Sequence, residues 1–335
     1  QRLRGSGVAV LEIVALPGEV VIFAISENDV AVGRRARFIE TLAALGDAAL
    51  VENGTAAASA LYDDIIRPVE GVLARARQLV IVPDTRLRAA PFAALYDADT
   101  HRHLIDRFPV SIASSASSLT RVSARTNAPS LVAIELPAAG RAPALPEAER
   151  EIGEVAAAYR TSRSIASTGA TIEALRDAAA EADVLHIAGH TESQSGGGEH
   201  VFLVNDETVS WKTVLAGPRI HAAIVVLSAC ETLRSPASAA THGQTLGAAF
   251  AAAGAADVFG TLAPIGDRDA RLLFRALHRR LADAADPADA LRAVVRDAIG
   301  NDRDGRHAWR AIALLTNRIQ VSNRTTEDLP WIKAK

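Results

Sequence analysis

Two apolar stretches decide the fold: VLHIAGH, at Val184–His190, and IVVLSAC, at Ile224–Cys230. Both have the length of a strand, and apolar residues fill both of their faces, which is typical of strands inside a parallel sheet. Helical patterns separate them from each other and from the strands that follow. The sequence therefore predicts an α/β sandwich with a mostly parallel sheet flanked by helices.

The rest of the second half continues this alternation. Its predicted helices are Glu147–Tyr159, Thr171–Ala182, Trp211–Leu215, Gln244–Ala253, Asp267–Asp283 and Ala288–Ile299. Its other predicted strands are Ser130–Glu135, His200–Val204, Val258–Leu262 and the terminal run Ala308–Thr316.

The first half begins with a predicted β-hairpin, because two β-rich stretches flank the turn Pro17-Gly18. Two helices and a short buried strand follow, and the second helix is expected to bend at Pro68. The predicted elements are Val8–Leu16, Glu19–Ser26, Arg37–Leu50, Ala56–Arg77 and Gln78–Pro83. A proline-rich segment then separates the halves, which we predict to be residues 1–125 and 126–335.

The composition limits the classes of function. Apolar residues make up 49% and charged residues 22% of the 335 residues, as in ordinary globular proteins. The net charge of −3 is small and the two signs are intermixed, so neither nucleic acid nor a membrane surface is an expected partner. No stretch reaches the ~18 apolar residues that a membrane span requires.

Two residue counts bear on location and completeness. Cys230 is the single cysteine of the sequence, which excludes an internal disulfide and favours the cytoplasm. The sequence contains no methionine. We therefore expect a fragment, the C-terminal part of a longer protein.

The two decisive strands end in residues with useful chemistry, His190 and Cys230. The carboxyl ends of parallel strands lie at one edge of a sheet, so the two side chains face each other if their strands are neighbours. An imidazole beside a thiol can take its proton, and the resulting imidazolium lowers the pKa of the thiol and later protonates a leaving amine. The N–H of Cys230 and one near Gly189–Thr191 are candidates to bind an oxyanion, and Ser228 is a further candidate at this site.

The residues alone leave a second interpretation open. A cysteine at a strand end is often a small core residue, and a histidine nearby often bonds a backbone group. On this evidence, the reactive pair and the structural pair are alternatives of similar weight.

Several ordered motifs resemble the CHAT domain family, whose relatives are the caspases and separases. The matching segments are Leu79–Pro91, Leu145–Val155, Val184–Thr191, Val225–Thr232 and Gly243–Ile265, with Leu227–Thr232 reading LSACET. The resemblance implies a caspase-like sandwich in which residues 1–125 form a non-catalytic β-hairpin and helical half and residues 126–335 form the catalytic half.

The resemblance also implies roles for individual residues. The second histidine of the family's H-x-x-x-H string is the base and the cysteine of its S-A-C-E-T string is the nucleophile, which correspond to His190 and Cys230. His186 then has a structural role and supports the base through a hydrogen bond. The implied activity is that of a cysteine endopeptidase acting on a protein or peptide, controlled by an N-terminal helical-repeat region or a regulatory partner.

Three features depart from the family pattern. Thr191 stands where the base is usually followed by glycine. The loop that begins with Leu233-Arg234-Ser235-Pro236 is poorer in glycine than in relatives, and Leu262 or Ala263 replaces a frequent tryptophan. These departures are compatible with an inactive, caspase-like scaffold or protein-binding module, which is the alternative function.

Other residues are candidates for binding roles. Asp206 and Asp267 lie near the predicted sheet edge and are candidates to bind a basic substrate side chain. Gly196–Gly198 suggests a flexible loop beside the site. A metal set of His186, His190, Cys230 and His242 lacks the short, regular spacings of zinc sites, so neither a metal nor another cofactor is expected. A hydrolase or transferase that acts on a non-peptide acyl group is a third possibility.

Overall fold

The structure, a computed structural model, describes residues 3–51, 53–123, 128–137, 145–193, 200–204, 207–234, 244–301 and 307–321. Its α-helices are α1 (Ile39–Leu50), α2 (Thr55–Leu61), α3 (Glu70–Leu73), α4 (Leu104–Arg107), α5 (Pro146–Ala156), α6 (Ile172–Glu181), α7 (Trp211–Ala216), α8 (Leu246–Ala253), α9 (Asp267–Ala282) and α10 (Pro287–Asn301).

The strands fall into one large sheet and three small ones. They are β1 (Val8–Leu16), β2 (Glu19–Ile25), β3 (Val30–Arg35), β4 (Gln78–Val82), β5 (Tyr96–Asp97), β6 (Arg102–His103), β7 (Val110–Ile112), β8 (Thr120–Ser123), β9 (Leu131–Glu135), β10 (Ser162–Ile165), β11 (Val184–Ala188), β12 (Thr191–Ser193), β13 (His200–Val204), β14 (Glu207–Val209), β15 (Ile224–Ser228), β16 (Asp257–Thr261), β17 (Ile312–Thr316) and β18 (Arg318–Val321).

The large sheet has eleven strands in the order β10-β9-β11-β15-β16-β17-β7-β4-β1-β2-β3. Within the described chain, seven of its ten strand pairings are parallel. Helices flank the sheet, and β11 and β15 are buried along their whole length. The predicted α/β architecture with a mostly parallel sheet is confirmed.

Strand β17 connects the two parts of the sheet. It is antiparallel to β16 and parallel to β7. The strands β4 and β7 of the first half therefore run opposite to β11 and β15, and the carboxyl ends of the two groups lie at opposite edges of the sheet. This places one carboxyl edge, that of β11 and β15, next to α9 and the small sheet β12-β13-β14.

The helix predicted at Ala56–Arg77 and the strand predicted in the run Ala308–Thr316 differ from the structure. The helix predicted at Ala56–Arg77 ends at Leu61 and continues as a wide turn over Tyr62–Ile66 and a 3-10 turn at Arg67–Val69. Pro68 in this turn has no N–H to continue an α-helix. The strand expected in the run Ala308–Thr316 begins only at Ile312, after a 3-10 turn.

In the part of the chain that the structure describes, no helix is both long and apolar enough to cross a bilayer.

Candidate active site

The candidate site lies where two neighbouring strands end. Strands β11 and β15 pair in parallel, with Ala188 directly opposite Ser228. His190 and Cys230 each follow two residues later, so both lie at the same edge of the sheet. Both residues are half-buried. The geometry therefore brings the sulfur-bearing and the imidazole-bearing segments side by side.

Hydrogen bonds on both sides of His190 tie its segment to that of Cys230. The N–H of Gly189 donates to the carbonyl of Ser228 at 3.2 Å. The hydroxyl of Thr191 donates to the carbonyl of Cys230 at 2.5 Å. The backbone of His190 is thus fixed to the neighbouring segment before and after the residue.

Gly189 packs closely against the end of strand β9. A Cβ atom at this position would lie 2.7 Å from the Cβ of Leu136, much closer than such atoms approach in proteins. The N–H of Leu136 also donates to the carbonyl of Ala188 at 2.8 Å. Glycine is therefore required here by packing, and its predicted role near the oxyanion stays a prediction.

Two threonines hold the Cys230 segment from the other side. Thr261, at the end of β16, donates its hydroxyl to the carbonyl of Ala229 at 2.6 Å. Its N–H donates to the hydroxyl of Thr232 at 3.0 Å, and both threonines are completely buried. Between these bonds Glu231 adopts the left-handed conformation, with φ of 55°. Sequence reasoning missed Thr261, because its contact joins segments about thirty residues apart.

The environment of Cys230 favours the neutral thiol. Burial raises the pKa of the thiol, the charge of Glu231 raises it further, and a backbone contact with Ile265 offsets part of this. The sulfur lies 4.0 Å from the carbonyl oxygen of Ile265. The predicted pair implied a lowered thiol pKa, whereas the surroundings of Cys230 raise it.

A charged cluster surrounds the residue after the cysteine. Glu231 lies 3.4 Å from Arg234 and 3.8 Å from Nε2 of His200. Arg234 in turn contacts Asp47 of α1 at 2.9 Å. Burial lowers the pKa of His200, which therefore stays neutral at neutral pH. Neither His200 nor Arg234 was assigned a role at the site from the sequence, although His200 begins a predicted strand and Arg234 lies two residues after the LSACET segment.

His186 lies below the site and is completely buried. Its Nδ1 is 3.0 Å from Nε2 of His278, and its Nε2 is 3.0 Å from Glu151, although these last two atoms do not form an aligned hydrogen bond. Both ring nitrogens thus face α5 and α9. The supporting role predicted for His186 towards His190 stays a prediction.

The other candidates occupy varied positions. Asp267 accepts the N–H of Glu147 at 2.9 Å and so caps the first turn of α5. Ser228 is buried, and its carbonyl accepts the N–H of Gly189. Asp206, Gly196–Gly198 and His242 lie outside the described residues. The substrate-binding roles of these residues stay predictions.

Metal-binding side chains do not cluster in the described segments. Among these residues, no group of three or more His, Cys, Asp or Glu side chains is arranged to hold a metal ion.

Comparison with known proteins gives a family and a fold. The CHAT domain family matches residues 55–318, which is most of the chain. No curated protein sequence matches the chain.

Two structures of the Saccharomyces cerevisiae separase–securin complex are similar. The one at 3.0 Å resolution has a TM-score of 0.61 and 10% identity, over 93% of this chain and 30% of that chain. The one at 2.6 Å resolution has a TM-score of 0.50 and 14% identity, over 78% of this chain and 18% of that chain. This chain thus spans less than a third of the separase chains it matches. The likeness shows the caspase-like protease fold, as predicted.

Proposed function

We propose, since this chain belongs to the CHAT domain family, that it is a cysteine endopeptidase with Cys230 as nucleophile and His190 as general base. One observation carries the proposal: β11 and β15 are parallel neighbours, and the two residues follow these strands at equal distances beyond the pair Ala188–Ser228. Open α/β sheets bind their ligands at this carboxyl edge.

The reaction begins with transfer of the Cys230 proton to His190. The thiolate then attacks the substrate carbonyl, the C–N bond breaks, and the imidazolium gives its proton to the leaving amine. Water hydrolyses the resulting thioester, with His190 again acting as base. The raised pKa of Cys230 supports proton transfer to His190 during attack, in place of a thiolate formed beforehand.

The N–H of Cys230 is the proposed oxyanion donor. The carbonyl of Ala229 accepts the hydroxyl of Thr261, which lies on the side of β16. Because the peptide group is trans, the Cys230 N–H points away from that side, towards the His190 segment. A donor in this direction faces the same space as the imidazole, which is what stabilisation of the intermediate requires.

The proposed substrate is a protein or peptide, and the proposed control is by an N-terminal helical-repeat region or a regulatory partner. The similar yeast separase is in complex with securin, a protein partner. We propose that residues 126–335 carry out catalysis and that residues 1–125 form a non-catalytic, supporting half.

Thiol-directed labelling tests the proposal. A panel of tripeptidyl chloromethyl ketones should label the wild-type protein at Cys230. Cys230→Ala should abolish labelling, and His190→Ala should slow it by about 100-fold or more. His221→Ala, which changes an exposed histidine before β15, is the matched control and should label normally. Undiminished labelling of His190→Ala would refute the dyad.

The second candidate function is an inactive scaffold or protein-binding module. The raised pKa of Cys230 favours it, because a neutral thiol is a poor nucleophile. If no peptidyl reagent labels Cys230 in the folded wild-type protein, with or without a bound partner, the scaffold is the better description.

A further inference from the structure

The hydroxyl of Thr191 joins the histidine segment to the cysteine itself. Thr191 follows His190 directly and is the first residue of β12, where its backbone pairs with Phe202 of β13. Its Oγ1 donates to the carbonyl of Cys230 at 2.5 Å. A β-branched side chain on a paired strand has few χ1 states. The hydroxyl therefore reaches Cys230 from a fixed position.

Hydroxyl groups fix both peptide groups that flank Cys230. Thr261 holds the group before it, through the carbonyl of Ala229 at 2.6 Å. Thr191 holds the group after it, through the carbonyl of Cys230. Because each peptide group is planar, a bond to its oxygen orients the whole group. Together the two bonds set φ and ψ of Cys230, and with them the directions of its N–H and its Cα–Cβ bond.

The hydrogen bond from Thr191 to the Cys230 carbonyl also affects the next residue, Glu231. Glu231 has φ of 55°, a region that non-glycine residues adopt only when their surroundings hold them there. The peptide group that Thr191 holds is the one that joins Cys230 to Glu231. Without this bond the group is free to rotate as Glu231 relaxes. The Cα–Cβ bond of Cys230 then turns with it, while Thr261 keeps the peptide group that carries the Cys230 N–H in place.

We propose that Thr191 is a positioning residue, whose hydroxyl fixes the Cα–Cβ bond of Cys230 so that the sulfur adds to a carbonyl whose developing oxyanion faces the Cys230 N–H. The inference rests on the proposed function, since it assigns how the nucleophile of that reaction is oriented. Thr191 contacts the backbone of Cys230 and acts through it, so its effect belongs to the step in which negative charge develops on oxygen.

Two reagents separate this role from simple thiol reactivity. With iodoacetamide, the thiolate sulfur forms a bond to carbon as iodide leaves, and no oxyanion develops. With a tripeptidyl chloromethyl ketone, the sulfur first adds to the carbonyl carbon and gives an oxyanion. The sulfur then transfers to the methylene carbon as the carbonyl re-forms and chloride leaves. The ratio of the two labelling rates of Cys230 therefore reports on how well the sulfur is aligned with a carbonyl whose oxyanion is bound.

The variants are chosen to keep or remove the hydroxyl. Thr191→Val keeps the shape and removes the donor, and should lower the rate ratio by roughly five- to tenfold. Thr191→Ala provides a second variant without the donor. Thr191→Ser keeps the donor and should restore the wild-type ratio. Thr208→Val, at an exposed position on β14 of the same small sheet, should leave the ratio unchanged.

The outcomes distinguish the two proposals. If Thr191→Val and Thr191→Ala keep the wild-type ratio, or lose both rates equally while thermal unfolding shows them folded, the positioning role is wrong and the endopeptidase proposal stands. If no chloromethyl ketone labels the wild-type protein while iodoacetamide does, the endopeptidase proposal itself fails.

Discussion

At the level of single residues, a buried chain of polar groups lies beneath the site. Tyr159 is 2.9 Å from Nδ1 of His278, whose Nε2 is 3.0 Å from His186, and His186 faces Glu151 at 3.0 Å. One arrangement satisfies this buried histidine chain: Tyr159 donates to Nδ1 of a neutral His278, whose Nε2–H donates to Nδ1 of His186. A proton added to His278 would occupy the nitrogen that accepts the Tyr159 hydroxyl.

This burial makes stability depend on pH. Burial lowers the pKa of His278 well below its ordinary value of about 6.5, and the neighbouring His186 adds to the shift. As pH falls below about 6.5 the unfolded chain binds a proton that the folded protein does not, so the folded state loses up to about 1.4 kcal/mol per pH unit. Urea unfolding should show this loss between pH 7.5 and 5.5.

A variant assigns that loss to His278. His278→Gln keeps a polar side chain that does not titrate, so its unfolding free energy should fall less than that of the wild type over the same pH range. His221→Gln changes an exposed histidine and should leave the wild-type pH dependence intact. Equal pH dependence of the wild type and His278→Gln would show that the imidazole is not the titrating group.

The sequence predicted the positions of some site residues but not the hydrogen bonds that hold them. The segments of His190 and Cys230 were correctly placed at one edge of the sheet. The end of each apolar run marks the end of its strand, and the carboxyl ends of parallel strands lie at the same edge. Their roles as base and nucleophile stay predictions. The bonds of Thr191 and Thr261 were not predicted, because they join hydroxyl and carbonyl groups 39 and 32 residues apart. A local sequence pattern does not indicate a contact between residues so far apart in the chain.

At the level of elements, long buried strands and amphipathic helices were predicted well, and short polar elements were not. Strand β15 and helix α9 match their predicted ranges within one or two residues. Strands β12 and β14 were missed because each has three residues with mostly exposed side chains, and pairing with β13 alone makes them strands. Whether these short segments form strands depends on pairing with β13, and their own composition does not indicate that pairing.

The contact between the ends of β11 and β9 gives an element-level prediction. Gly189→Ala should destabilise the protein by about 1–3 kcal/mol, because its Cβ would lie 2.7 Å from the Cβ of Leu136. Gly153→Ala is the matched control in α5, where no atom lies within 4 Å, and alanine should stabilise the helix by up to about 1 kcal/mol. Urea unfolding measures both changes.

Removal of the opposing side chain tests the cause. Leu136→Gly removes the clashing Cβ, and alone should destabilise the protein by about 3 kcal/mol or more, since Leu136 is buried. If the clash is the cause, the double variant Gly189→Ala/Leu136→Gly should be more stable than the sum of the single changes predicts. Strict additivity would mean that the alanine acts through backbone conformation instead.

At the level of the whole molecule, two buried arginines of residues 126–335 bind the backbone of residues 1–125. Arg292 of α10 donates to the carbonyls of Ile105 and Asp106, at 2.9 and 2.5 Å. Arg310, before β17, donates to the carbonyl of Val51 at 2.9 Å and contacts the hydroxyl of Thr55 at 3.1 Å. Strand β17 itself pairs with β7 of the first half. The two halves thus share one sheet and buried hydrogen bonds.

We therefore expect the two halves to unfold together in the wild-type protein. Hydrogen exchange in increasing urea should show coincident transitions for peptides from β4 and β11. Arg292→Met and Arg310→Met each leave carbonyls without a donor and should destabilise the protein by about 1–3 kcal/mol. The double variant should separate the two transitions, while Arg279→Met, at an exposed position on α9, should not. Separate transitions in the wild type would mean that the halves fold independently, because the shared sheet would then be too weak to couple them.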